Sequence, residues 1–223
     1  PSEVICEIGP PSTIAETHTL RQPDERLRLV WNGQHLPGKA LPLLLKALAG
    51  IDGVVDYELT VLGAGPCSRK WQRLAGELGI GGKCRWPGWM RRDEAIRVMG
   101  QAHVSVITSL KDLTSTVLLE SLAAGLPVVC PDHCGFSNVV TSDCGIKVPV
   151  RSPQQLVGDL ATAIERLACD EAERRRLAAG ALRRIQDFSW DRKAETVAAI
   201  YRRAVESRSG IHGKAIGSQG SGV

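Results

Sequence analysis

The sequence predicts a doubly wound α/β fold: a parallel, six-stranded, Rossmann-like sheet in the order 3-2-1-4-5-6, with extra C-terminal helices. Two observations and one rule predict it. Short apolar runs alternate with helical stretches six times between residues 27 and 150. The runs show no inside/outside alternation, as expected of parallel strands covered on both faces. Right-handed crossovers then narrow the topology to the stated order.

Taken in turn, LRLVWN (27–32) reads as the first strand, and KALPLLLKALAG (39–50) as a helix with Pro42 in its first turn, where proline is tolerated. YELTVLG (57–63) is a strand, and SRKWQRLAGELG (68–79) a helix closed by Gly79. KCRWPG (83–88), DEAIRVMGQA (93–102) and HVSVIT (103–108) read as strand, helix and strand. A helix over 115–125, closed by Gly125, leads to a strand at 127–131, a short helix at 136–141 and a strand at 145–150. Helices follow at about 153–169, 170–187 and 190–207. Residues 207–223 have no periodicity and are expected to form a disordered tail.

Bulk composition limits the function classes. The chain has 223 residues, enough for one large domain. A net charge of +4, dispersed along the chain, and 4% aromatic residues argue against nucleic acid but leave anionic small molecules open. The Arg-rich ERRRLAAGALRR (173–184) reads as a solvated helix face, because Leu177, Ala181 and Leu182 give it a core side. Seven cysteines in scattered positions do not form a disulfide framework, so a reducing cytoplasm is expected. No apolar run approaches the ~18–20 residues that span a bilayer. The chain opens on Pro1, and residues 1–26 read as a linker from a missing N-terminal domain.

In such a sheet, ligands sit beyond the carboxyl ends of the strands where the order reverses, here between strands 1 and 4. The loops that face that crevice are NGQHLPGK (32–39) and TSLKDLTST (108–116). Thr114 and Ser115 are suitable helix N-caps, and the amides of the first turn, from Ser115 to Leu118, offer an anion site. An ordinary capped helix would show the same residues. Glu120 stands out, since an ionised carboxylate unpaired in a core costs several kcal/mol. Helical side chains tilt toward the N-terminus, which aims Glu120 at the crevice mouth, where a ribose diol would satisfy it. A salt bridge to a nearby arginine is the plainer alternative. Lys39, at a predicted helix start where a cation opposes the helix dipole, is explained by an anionic ligand, or else is a solvated surface lysine.

These residues resemble a family. Asp112, seven intervening residues and Glu120, followed by LLESLAAGLPVV, resemble the E-x7-E signature of the family-4 (group 1) retaining glycosyltransferases with the GT-B fold. VWNGQHLPGKALPLLLKAL resembles their G-R-x-x-x-x-K-G segment, and LTVLGAGP, WPGWMRRDEA, CGIKVPV and FSWDRKAETVAAIYRR follow in family order. The resemblance runs from Leu27 to Val205. It implies the donor-binding C-terminal domain of an enzyme that moves a hexose from a UDP- or GDP-sugar, as in polysaccharide or glycolipid assembly, with retention and without a metal or cofactor. Glu120 would hold the ribose, Asp112 the sugar, and the amides of Leu113, Thr114, Ser115 and Thr116 the diphosphate. Gly33, Gln34 and Lys39 form the first-loop side, and Pro87, Gly88, Trp89 and Met90 the base side. Asp112 is one methylene shorter than the usual Glu. Gln34 replaces the usual Arg, leaving Lys39 as the only cation of the pair, with Arg91 or Arg92 nearby to compensate. The acceptor domain is missing, so little or no transfer is expected from this chain alone, and peripheral membrane contact would run through that domain.

Three rival readings make different predictions. A zinc site at Cys130, His133, Cys134 and Cys144 lacks the spacing of a ribbon or finger. A sugar-nucleotide epimerase of the same fold would convert donor without acceptor. A non-catalytic nucleotide-binding module would bind donor and transfer nothing.

Overall fold

The computed structural model describes residues 19–22, 24–112 and 115–215, the last nine of these as backbone only. Six parallel strands form one sheet in the order β3-β2-β1-β4-β5-β6. They are β1 (Leu27–Asn32), β2 (Tyr57–Leu62), β3 (Cys84–Gly88), β4 (Val104–Val106), β5 (Val128–Pro131) and β6 (Gly145–Val148). The crossover helices are α1 (Leu41–Gly50), α2 (Ser68–Glu77), α3 (Arg92–Met99), α4 (Thr116–Ala123) and the short α5 (Phe136–Val139). Three further helices, α6 (Pro153–Cys169), α7 (Glu171–Arg184) and α8 (Trp190–Ala215), follow among the described residues. The predicted sheet order is the observed one.

Residues of β1, β2 and β5 divide between cores on the two faces of the sheet. Leu27, Leu29 and Trp31 of β1 join Tyr57, Leu59 and Val61 of β2 in a core covered by α1, α2 and α6. Val30 and Leu62 point to the other side, against α3, while Val128 and Cys130 meet α4, α5 and α7. Burying a leucine or valine side chain contributes roughly 1.5–3 kcal/mol, so these two apolar layers hold the strand ends in place. Coverage is incomplete on the α3 side. There Arg28, Glu58 and Thr60 stay half-buried, which explains why these strands carry polar residues.

Some boundaries differ from the sequence reading. Lys39 lies in a 3₁₀ turn, Pro37–Lys39, and α1 begins only at Leu41. Ala40 between them has φ 49°, a left-handed conformation that interrupts the helical path. The helix expected over 170–187 ends at Arg184 and tightens into a 3₁₀ turn, Ile185–Phe188. α8 runs on through residues 207–215, read from sequence as the start of the tail. Once a helix is nucleated, each added residue gains a hydrogen bond for one more ordered backbone unit, so weakly periodic residues can continue it. Residues 1–18, Pro23 and 216–223, which carry most of the expected linker and the rest of the tail, lie outside the described residues.

Within 173–184, Arg175, Arg176 and Arg183 are exposed as a solvated face requires, and Arg174 is the exception. Its side chain is buried, paired with Glu171 through two hydrogen bonds at 2.8 and 2.6 Å. It also donates to the carbonyls of His103 and Thr19. Arg21 donates to the carbonyls of Glu25 and Ala168. These arginines pin the segment entering β1 against the amino end of the sheet, opposite the ligand side.

Candidate functional site

The loops after β1 and β4 meet directly, as the strand order requires. Trp31 Nε1–H donates to Thr108 Oγ1 at 2.9 Å, and that hydroxyl donates to the Lys39 carbonyl at 2.7 Å. The Leu110 amide donates to the Gly38 carbonyl at 3.0 Å. A buried tryptophan beneath the sheet thus sets the position of the loop that carries Lys39.

The loop after β2 completes one wall. Gly33 N–H bonds to the Leu62 carbonyl, and His35 N–H to that of Ala64. Gly63 has φ 101°, and a Cβ there would run into the Gly33 carbonyl oxygen. A Cβ at Gly65 would stand 2.8 Å from the His35 carbonyl oxygen. Both positions therefore require glycine, the first also for its backbone angle.

His35 is the buried staple between these loops. Ser68 Oγ donates to the Gly65 carbonyl and accepts its N–H, so His35 Nδ1 must donate to Ser68 at 2.8 Å. The ring packs among Trp31, Trp71 and Trp86, with centroids 5.1–6.0 Å away. Burial lowers its pKa, and the Leu62 carbonyl opposes that shift without reaching hydrogen-bond geometry.

These walls enclose an open crevice of about 730 Å³ at the carboxyl edge of the sheet. Gly33, Gln34 and Lys39 line it from the first loop, and Gly63, Ala64 and Gly65 from the second. Trp89, Met90 and Arg92 line it from the turn after β3, and Thr116, Val117 and Glu120 from α4. Trp89 is 75% exposed, a flat apolar surface at the rim.

Two ion pairs form at the crevice. Lys39 Nζ donates to Asp112 Oδ2 at 2.5 Å, joining the first loop to the fourth. Arg92 Nε donates to Glu120 Oε1 at 2.7 Å. The plainer alternative for Glu120, an arginine partner, is therefore the one observed. That arginine is not internal, however: its side chain is 57% exposed and lies in the crevice beside the acid.

Glu120 is only 8% exposed, and α4 holds it there through a buried hydroxyl pair. Ser121 Oγ donates to the Val117 carbonyl at 2.7 Å, which leaves Ser105 on β4 to donate to Ser121 at 2.8 Å. Ser115 occupies the N-cap position of α4, yet its side chain makes no capping bond, contrary to the expectation. Leu113 and Thr114 lie outside the described residues.

The sequence profile of the family described as "Glycosyl transferases group 1" matches residues 16–184. The chain belongs to the group 1 glycosyltransferases. A curated relative of this glycosyltransferase chain, a D-inositol 3-phosphate glycosyltransferase of Saccharomonospora viridis, is 31% identical over 212 residues, covering 90% of this chain and 48% of the relative. The chain spans about half the length of the curated relatives it matches. Among solved structures, the apo form of the lipopolysaccharide outer core galactosyltransferase WaaB superposes with a TM-score of 0.74 at 18% identity, covering 86% of this chain and 54% of that one. The pneumococcal O-GlcNAc transferase GtfA, in complex with UDP and GlcNAc, gives 0.70 at 15% identity, covering 90% and 38%. At these identities the likeness is one of fold.

Within this glycosyltransferase domain, the structure brings Gly33, Gln34, Lys39, Trp89, Met90, Thr116 and Glu120 to one crevice, with Asp112 attached through Lys39. Pro87 is not part of it and lines a separate groove on the half-covered sheet face. Cys130 and Cys144 are buried, and no group of three potential metal ligands occurs among the described residues. No described helix is long and apolar enough to cross a membrane. Sequence reasoning missed His35 and the Ser105–Ser121 pair. A polar residue inside an apolar strand, and another inside an apolar helix, was the available signal for the serines.

Proposed function

We propose that this chain is the donor-binding half of a retaining, metal-independent glycosyltransferase that moves a hexose from a nucleoside-diphosphate sugar to an acceptor in polysaccharide or glycolipid assembly. The observation that carries the reading is the crevice at the sheet's switch point, where Lys39, Asp112, Arg92 and Glu120 converge from four separate segments. A group 1 profile match over most of the chain supports it, as does the UDP and GlcNAc bound by the similarly folded GtfA.

In this reading Glu120 accepts hydrogen bonds from the ribose hydroxyls, and Asp112 from the hydroxyls of the transferred sugar. The first turn of α4, from Ser115 and Thr116 onward, offers amides and the positive end of a helix dipole to the diphosphate. As the glycosidic bond to the diphosphate breaks, negative charge grows on the leaving oxygens. Preorganised amides and the Lys39 ammonium stabilise that charge, and one such donor contributes roughly 3 kcal/mol to lowering the barrier. Trp89 and Met90 form the base-side wall. In this reading the acceptor is bound by a further domain that this sequence does not contain, so donor binding without appreciable transfer is the expected behaviour. All six described cysteines are unpaired, which fits a reducing, cytoplasmic setting.

The test is a thermal-shift and calorimetric screen of UDP, GDP and their hexose conjugates. A ligand at ten times its Kd adds roughly 1.4 kcal/mol, or about 3–5 °C for a domain of this size. Glu120→Ala should abolish the shift. A wild-type chain that responds to no nucleoside diphosphate, or a Glu120→Ala variant of unchanged affinity, would overturn the reading.

A further inference from the structure

The first loop offers one cation to an anionic ligand, and that cation is already engaged. Lys39 is held by Asp112, and Gln34 beside it in the crevice is uncharged. A nucleoside diphosphate carries at least two negative charges, so a crevice of this kind needs a second cation.

Arg92 has the position and the free hydrogen-bonding capacity. It lines the same crevice as Lys39, whereas the neighbouring Arg91 turns to Asp93 at 3.5 Å. Its bond to Glu120 uses Nε alone. Among the described residues neither of its Nη groups has a hydrogen-bond partner, so four N–H donors remain. Glu120 likewise uses only Oε1, leaving Oε2 open. Arg92 also stands at the first residue of α3, where a cation opposes the helix dipole and local stability does not explain it. A guanidinium fixed at one edge and open at the other is suited to anion binding, because its planar fork matches phosphate oxygens.

We propose that Arg92 is the second diphosphate-binding cation of this site. Glu120 orients the guanidinium through Nε, and the Nη groups bind the diphosphate oxygens. The charge that Gln34 lacks on the first loop is thereby supplied from the turn after β3. Glu120 then has two functions: Oε1 positions Arg92 and Oε2 remains for the ribose. This inference rests on the donor-binding reading given above.

The experiment titrates the chain with UDP and GDP, and with uridine and guanosine, by calorimetry. Charge-assisted hydrogen bonds contribute ~1.5–3 kcal/mol, so Arg92→Ala should weaken the diphosphate about 10- to 100-fold and the nucleoside less than about threefold. Arg92→Lys should recover only part, since an ammonium on one flexible stem does not hold Glu120 and an anion with a planar fork. To separate a lost ligand from an exposed Glu120 charge, Arg92→Ala is also compared with wild-type Arg92 in a Glu120→Gln background, where the diphosphate-over-nucleoside preference should still fall. Arg92 is largely exposed, and circular dichroism checks that each variant is folded. Equal losses on diphosphate and nucleoside, or no loss on either, would overturn the role of Arg92 while leaving the donor-binding reading intact. A wild-type chain that binds neither diphosphate overturns both.

Discussion

Lowering the pH from 7.5 to 5.0 should destabilise the fold, and most of the loss should come from His103. It sits fully buried just before β4. Its Nδ1 accepts the Arg28 N–H at 3.0 Å, so the neutral ring carries its proton on Nε2. Burial is the main cause that pushes its pKa down to about 3, and the positive charges of Arg28, Arg174 and Arg21 add to it. Glu171 opposes, and Glu25 lies 3.7 Å from Nε2. The Glu25 carboxylate is already engaged by Arg28 and the Gln22 amide, so it does little to favour an imidazolium. In the unfolded chain a histidine titrates near 6.5. Above that pH both states are neutral and the contribution is intact. Below it the unfolded chain gains a proton that the native ring refuses, so stability falls as the pH drops from 6.5 toward 3. By pH 5 the gap is about 1.5 pH units at 1.36 kcal/mol each, a loss of roughly 2 kcal/mol. The assay is urea unfolding at both pH values for the wild type and for His103→Gln, whose carbonyl can accept the Arg28 N–H. The wild type should lose about 2 kcal/mol more than the variant. His35, whose pKa is also lowered by burial, is present in both proteins and cancels. Equal losses, or a ring that NMR shows as imidazolium at pH 5, would refute the argument.

Three further outcomes are expected. Lys39→Ala should weaken a nucleoside diphosphate more than the free nucleoside, whereas Asp112→Ala should weaken the nucleotide sugar and spare the bare diphosphate; calorimetry separates the two. Gly63→Ala forces a Cβ against the Gly33 carbonyl at φ 101° and should cost about 2–4 kcal/mol by chemical denaturation, with ligand affinity falling as the first loop is displaced. Ser121→Ala leaves the buried Ser105 hydroxyl without its partner and should cost about 1–3 kcal/mol, read as a lower Tm.

The sequence by itself determined the sheet. An apolar run such as PVVCP commits to a strand because burial on two faces tolerates few polar residues, and right-handed crossovers narrow the strand order. It also singled out Glu120 and Lys39, since a lone carboxylate in an apolar helix is costly without a partner and a lysine at a predicted helix start opposes the helix dipole. Only the tertiary structure decided what those partners are. Arg92 and Glu120 are 28 residues apart, and Lys39 and Asp112 are 73 apart. Such pairings depend on rotamers and on sub-ångström loop placement, which no local pattern encodes. The same holds for buried Arg174. Its helix reads as a charged surface, but the chain entering β1 folds back over it and supplies the carbonyls that an inward guanidinium needs. Periodicity reports which face is apolar, whereas hydrogen-bond satisfaction in the interior is settled only when distant segments are packed together.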